Sequence, residues 1–394
     1  TDATRAANAA FAQLPLADPT DREDAQRGRI ASEPGLVIKN ESGATVWDTT
    51  AYGFLAGDVP ASVNPSLWRQ AQLNDLHGLF EVTAGVYQVR GYDISNMTII
   101  EGKTGRIVVD PLTARETAAA AWRLVEKTLG AKPVTALVFT HSHIDHFGGV
   151  EGVISADEIA KRKVRVVAPA RFLEEAASEN VLAGVAMLRR AQFMYGTNLP
   201  RGPRGHVDTG LGKAPPFGSV SLAIPTDLIE KTPTELLLDG VRFVFQYAPE
   251  SEAPAEMTFY LPEKKAYCSA EIVTHTMHNL YTLRGAKVRD ALKWSGYIDE
   301  ALVRFSEAEV MFASHSWPIW GNARIHDYLA KQRDAYKYIH DQTLRLANGG
   351  ATPREISEQL DLPSSLRTSF GNRGYYGTVR HNARAVYQWY FGWY

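Results

Sequence analysis

A layered α/β fold is predicted by three features of this 394-residue chain. Short apolar, β-branched runs alternate with helix-length amphipathic segments. Gly- and Pro-containing turns punctuate the runs. Four side chains of metal-binding type crowd into Thr140-His141-Ser142-His143-Ile144-Asp145-His146, just past one apolar run. Sites gather at the carboxyl ends of strands in such folds.

Composition narrows the function classes. The chain is 45% hydrophobic and 22% charged, ordinary for a globular protein. Its 42 basic and 44 acidic residues leave a formal charge of −2, which gives no support for nucleic-acid or membrane-surface binding. No run approaches the ~20 apolar residues of a membrane-spanning helix, so stable membrane insertion is not expected. Cys268 is the sole cysteine, excluding an intramolecular disulfide and a Cys-rich zinc knuckle.

Taken in order, residues 1 to about 30 read as an arm or short helix. Regular structure is expected from Gly85. Val86–Arg90, Met97–Glu101 and Arg106–Asp110 read as strands, with the Gly102-Lys103-Thr104-Gly105 turn between the last two. Thr113 with Glu116 forms a candidate capping box for a helix through Leu129. Pro133–Phe139 reads as the strand feeding the His-rich run, and Val164–Ala168 as the next. Residues 180–195 predict a helix whose apolar face (Val181, Val185, Leu188 and the Phe193-Met194-Tyr195 end) belongs to the core or lines an alkyl pocket. The stretch 196–218 reads as an irregular loop. Strands resume at Thr234–Leu238, Arg242–Tyr247, Met257–Leu261 and Lys265–Ser269. Ala323–Leu346 predicts a long helix closed by Asn348-Gly349-Gly350. Thr352-Pro353-Arg354-Glu355 opens another, and an aromatic, helix-compatible segment runs from Asn382 to Tyr394.

His141 and His143 are two residues apart, as are His143 and Asp145, and His146 follows directly. A strand end can aim the first pair at one metal while the next two turn toward another. Imidazole and carboxylate suit zinc. Phe147-Gly148-Gly149 then permits a tight turn.

The H-x-H-x-D-H run followed by Gly-Gly resembles the metallo-β-lactamase superfamily. Further stretches narrow the resemblance: Ala248–Met257, Ser269-Ala270-Glu271, His278–Gly285, Ser314-His315-Ser316-Trp317-Pro318 and Gly374–Asn382. In this order they are similar to its alkylsulfatase branch, from about Leu76 to the C-terminus. The resemblance implies an αββα sandwich with a C-terminal helical subdomain, divided as a lead-in (1–80), a catalytic domain (81–320) and a helical, dimer-forming region (321–394). It implies two Zn2+ per chain. His141, His143 and Glu252 would bind one and Asp145, His146 and His315 the other, with Glu271 at the bridging place. Glu250 and Glu256 are rivals of Glu252 by register.

The same resemblance implies an alkyl sulfate as small-molecule substrate, hydrolysed by a metal-activated water with C–O cleavage. Asp145, Arg284 and His381 take the catalytic roles, with His275 and His278 as alternatives to His381. Asn279, Arg284 and Tyr376 are the sulfate-side residues, Tyr375 being the rival of Tyr376. A homodimer and a periplasmic or secreted location are expected. The family's sterol-carrier-like C-terminal domain is expected to be absent from a chain ending at Trp393-Tyr394. Other readings keep the metal site but change the substrate to a lactone, thioester or phosphoester, replace hydrolysis by di-iron redox chemistry, or make the chain a binding module. Arg284 with Asn279 separates the first of these, since a neutral lactone needs no anion clamp. There is no G-x-S-x-G or P-loop motif.

Overall fold

Arg106–Val109 shows why the strands are apolar throughout. Successive side chains point to opposite faces. Ile107 and Val109 enter one core and Val108 another, all buried. Strands of this kind need cover on both sides, and two packed sheets with helices outside them provide it. In the computed structural model, which describes residues 1–392, the first sheet has eight strands. Their order is Arg29–Ala31, Gly78–Thr83, Val86–Arg90, Met97–Glu101, Arg106–Val109, Val134–Val138, Arg165–Pro169 and Asp227–Ile229. Pairing is antiparallel as far as Arg106–Val109 and parallel beyond it. The second sheet has six: Thr234–Leu238, Val241–Tyr247, Met257–Leu261, Ala266–Cys268, Val310–Phe312 and Ile319–Trp320.

The inter-sheet core joins Val82, Ile100 and Val138 to Phe243, Phe245, Phe259 and Phe312. Outside the first sheet, helix Arg115–Leu129 lays Ala118, Ala121 and Val125 against Val108 and Leu137. Outside the second, helices Ala291–Arg304, Asn322–Asn348 and Val379–Phe391 pack Trp294, Ile298, Tyr336 and Val386 over Tyr267 and Met311. This is the predicted αββα sandwich with its helical C-terminal region. Among the described residues no helix is long and apolar enough to cross a membrane.

Several elements differ from expectation. Regular structure begins well before Gly85: Arg29–Ala31 edges the first sheet, and Val37–Lys39 pairs with Thr45–Asp48. Runs of three or four residues carry too little periodicity to be read. The helix to Leu129 has no capping box. The hydroxyls of Thr113 and Thr117 donate to Asp93, and Glu116 instead accepts from Ser219. Thr352 and Glu355 do form one. Residues 180–195 divide into a π-helical turn, Ser178–Leu182, and helix Gly184–Tyr195. Of their expected core face, the branched residues and Phe193 are turned outward, Val181 being 73% exposed, Val185 69%, Leu188 65% and Phe193 71%, while Met194 and Tyr195 face inward as expected. The inward side is Met187, Met194 and Tyr195, which meet Arg284, Thr282 and Tyr376. The aromatic C-terminal helix is seen to Phe391, and the final Trp393-Tyr394 lies outside the described residues.

Candidate metal centre

The His-rich run leaves strand Val134–Val138 and is stitched at once to the second sheet. Met257 N donates to Thr140 O at 2.9 Å, and Ser142 N to Ala255 O at 3.2 Å. His141 thereby bridges to Glu256. Glu252, Glu271 and His315 arrive on three other connections of the second sheet. A left-handed, non-glycine residue stands beside each: Glu250 (φ 64°), Ala270 (φ 51°) and Ser316 (φ 61°). Such strained backbone persists where packing over-determines it and clusters at functional sites.

Seven predicted metal-site residues converge into two groups that could hold cations: His141, His143, Glu252 and Glu271, and Asp145, His146, His315 and Glu271. Glu271 joins them. Its Oε2 is 3.2 Å from His141 Nε2, 3.2 Å from His146 Nε2 and 3.1 Å from His315 Nε2. Glu252 Oε2 lies 2.9 Å from His143 Nδ1 and 3.4 Å from His141 Nε2. Asp145 Oδ2 is 3.2 Å from His146 Nε2 and 3.5 Å from His315 Nε2. His141 Nε2, His146 Nε2, His315 Nε2 and Glu252 Oε2 are buried without a hydrogen-bond partner. Buried polar atoms are otherwise paired, so this inward-facing donor set fits metal ions.

Of the three neighbouring glutamates, Glu252 is the one that joins the candidate cation group. Glu250 lies at the surface and pairs with Lys293. Glu256 is buried in its own turn, accepting from Ser251 Oγ at 2.9 Å and Ala253 N at 3.0 Å. Burial, then the nearby Glu252 carboxylate, holds the Glu256 pKa well above the usual carboxylate range.

Three residues unmarked by any motif support the side chains of this cluster. Asp110, itself at φ 51°, accepts from His146 Nδ1 (3.0 Å), Thr140 N (2.8 Å) and Ser314 Oγ (2.6 Å). This fixes the imidazole with Nε2 facing the cluster, as outer carboxylates do for metal-binding histidines. Burial opposes charging of the His146 ring, but Asp145 and Asp110 outweigh it and raise its pKa well above the ordinary range. Asp93, buried, takes hydrogen bonds from Ile94 N, Thr113 and Thr117. Ile94 O in turn accepts from His315 Nδ1 at 2.9 Å. Burial carries the Asp93 pKa to about 6. Arg289, also buried, donates to the carboxylate and backbone oxygen of Glu252 and to Asn279 O at 2.9 Å. Lone charged residues carry no periodic signal, so only their place in the fold singles them out.

Arg284 is half-buried and reaches the cluster through Glu179. Its Nη1 is 3.1 Å from Glu179 Oε2, which is 3.5 Å from His143 Nε2. Tyr376 OH meets Tyr195 OH at 3.0 Å, and burial raises the pKa of both phenols. Tyr375, its rival, turns toward Ser66. Asn279 has both amide ends engaged, Nδ2 donating to Tyr376 O at 3.0 Å and Oδ1 accepting from Arg289. His381 is not brought to the cluster: it lies in the first turn of the last helix and its Nε2 donates to Tyr281 O at 2.7 Å. His275 packs on Trp317, whereas His278 Nε2 is 3.1 Å from Glu271 Oε1.

This fold and cluster define a class, and comparison with known proteins agrees. Residues 90–315 match the model of the metallo-beta-lactamase superfamily, and the chain belongs to that superfamily. Residues 352–394 match a second model, alkyl sulfatase dimerisation. The chain is 52% identical over its whole length to a linear primary-alkylsulfatase of Pseudomonas sp., covering 59% of that protein. It is also 52% identical, over 97% of its length, to the alkyl/aryl-sulfatase BDS1 of Saccharomyces cerevisiae, again covering 59%. Among solved structures, the stereoselective inverting sec-alkylsulfatase Pisa1 from Pseudomonas sp. superposes with a TM-score of 0.97 at 46% identity, over 100% of this chain and 63% of Pisa1. The chain thus spans about three fifths of the length of these relatives.

Proposed function

We propose that this chain hydrolyses alkyl sulfate esters to an alcohol and sulfate with two zinc ions. The observation that carries the reading is a half-buried guanidinium, Arg284, set beside a buried His and carboxylate cluster suited to cations. The relatives named alkylsulfatases support it. His141, His143 and Glu252 would hold one zinc, Asp145, His146 and His315 the other, and Glu271 would serve both. A divalent pair brings the pKa of bound water from ~15.7 to near neutrality, making hydroxide available at pH 7.

The remaining work falls to the chain's own side chains. Asp145 and Glu271, held among His141, His146 and His315, would set the side from which the attacking oxygen approaches. That oxygen bonds to the ester carbon as the C–O bond breaks, and the electron pair departs on sulfate. Sulfate is the anion of a strong acid, so it leaves without taking a proton and needs charge compensation instead. Arg284 offers two sulfate oxygens a planar fork. Tyr195 and Tyr376, neutral phenols whose pKa burial raises further, offer O–H donors. No step draws on His381. Asn279 keeps Arg289 and the backbone of Tyr376 in place.

We further propose a homodimer formed through the C-terminal region. It carries the dimerisation match and the exposed aromatics Trp389, Tyr390 and Phe391.

The test is hydrolysis of dodecyl sulfate in ¹⁸O-enriched water on zinc-quantified protein, with and without chelator. Label in the alcohol and loss of activity with chelator are expected. Label in sulfate would move the attack to sulfur. A fully metallated chain that releases no sulfate would remove the activity.

A further inference from the structure

Glu179 is the one buried residue of the π-helical turn Ser178–Leu182. The turn is defined by Ala183 N donating to Ser178 O at 3.0 Å, five residues back. Its neighbours Val181 and Leu182 are exposed, so hydrophobic packing does not explain the turn. Single π turns are rare, and they recur at functional sites because the extra residue redirects one side chain. Here the redirected side chain is a carboxylate pushed into the protein, a costly placement unless it is paired. A single oxygen, Oε2, faces both partners: Arg284 Nη1 at 3.1 Å and His143 Nε2 at 3.5 Å. His143 Nδ1 meanwhile faces Glu252 Oε2 at 2.9 Å, on the cluster side of the ring. The two imidazole nitrogens therefore look in opposite directions, one to the cluster and one to Glu179.

We propose that Glu179 is a positioning residue whose carboxylate pairs electrostatically with the Nε2–H edge of His143 and ties down the Arg284 guanidinium. His143 is then left to present Nδ1 to the metal site, while the anion-binding arginine is fixed relative to it. The π turn is the device that brings the carboxylate to this place. One group thus couples metal-ligand orientation to recognition of the sulfate. The arginine half of this inference rests on the proposed alkyl-sulfate hydrolysis. The histidine half rests only on the cluster being a metal site.

The deciding variant is Glu179→Gln, which keeps the shape and one acceptor oxygen but removes the charge. The control is Asn180→Ala. It removes the hydrogen bond from Asn180 Nδ2 to Ala176 O (2.9 Å) in the same turn and leaves the carboxylate alone. Zinc affinity is measured by chelator competition, and KM and kcat with dodecyl sulfate. Glu179→Gln is expected to weaken zinc about tenfold, the lower end for loss of an outer partner of a metal-binding histidine. It should also raise KM about fivefold, the effect of one net hydrogen bond, with a smaller change in kcat. Asn180→Ala should match the unmodified chain in both. Unchanged zinc affinity and KM in Glu179→Gln would overturn the proposal. So would equal losses in Asn180→Ala, which would make the turn's packing the cause. A zinc-loaded chain without activity on dodecyl sulfate would sink the proposed function, and zinc affinity alone would then decide the role of Glu179.

Discussion

Replacing Arg289 by methionine takes from the Glu252 carboxylate its permanently charged partner and leaves it only imidazoles, His143 and His278. The guanidinium donates to the Glu252 side chain, to its backbone oxygen and to both oxygens of Asn279. The Arg289 side chain is 5% exposed and that of Glu252 1%, so water cannot take its place. Breaking a buried ion pair from one side costs about 3–5 kcal/mol, mostly because the surviving charge is left without a partner. For a chain of this size each kcal/mol lowers Tm by about 2 °C, so metal-free Arg289→Met is expected to melt about 6–10 °C lower. Zinc should close part of the gap by giving Glu252 another counter-charge. The assay is thermal unfolding of the metal-free and zinc-loaded forms, run as a double-mutant cycle with Glu252→Gln. Removing the carboxylate charge should restore stability, with a coupling of about 2–3 kcal/mol. A loss below about 1 kcal/mol in the metal-free form, or strict additivity in the cycle, would refute this reasoning.

Three further outcomes are expected. Arg284→Ala should lower kcat/KM for alkyl sulfates by about 10- to 150-fold, the worth of a hydrogen bond to a charged group, while zinc content measured by elemental analysis stays above half. Gly149→Ala should cost about 1–3 kcal/mol in denaturant unfolding, since its Cβ would press on Pro111 O and sit 2.7 Å from Ala114 O, forcing apart the turn after His146. The third concerns pH. Burial, then Arg201 and Lys213, lowers the His206 pKa from 6.5 to about 4. The unfolded chain therefore binds this proton where the native one does not, and stability falls as pH drops from 6.5 toward 4. Melting curves across that window should flatten in His206→Gln, and an unchanged slope would show that other groups govern it.

The metal motif was legible because its chemistry is local. Four ligand-type side chains within six residues need only a strand end and a Gly-Gly turn to face one place. Strand existence was legible for the same reason, since a run apolar on both faces must be buried between two layers. Glu252, Glu271 and His315 could be nominated by their place after apolar runs and by resemblance. Choosing Glu252 over Glu250 and Glu256 needed the fold, which sends one rival to Lys293 and the other into its own turn. The helical period over 180–195 announced a helix, yet not which side faces inward. The thioethers and Tyr195 were claimed by the segment around Arg284, and the branched residues were left outside.

Arg289, Asp110 and Glu179 had no signal in the chain at all. Each is a single charged residue whose meaning comes from partners 30 to more than 200 positions away or on another element, such as Ser314 for Asp110 or Arg284 for Glu179. Periodicity and spacing report forces that act within a few residues. Which charges end up buried together is decided when the two sheets close, because only then does the cost of desolvation select the groups that must pair.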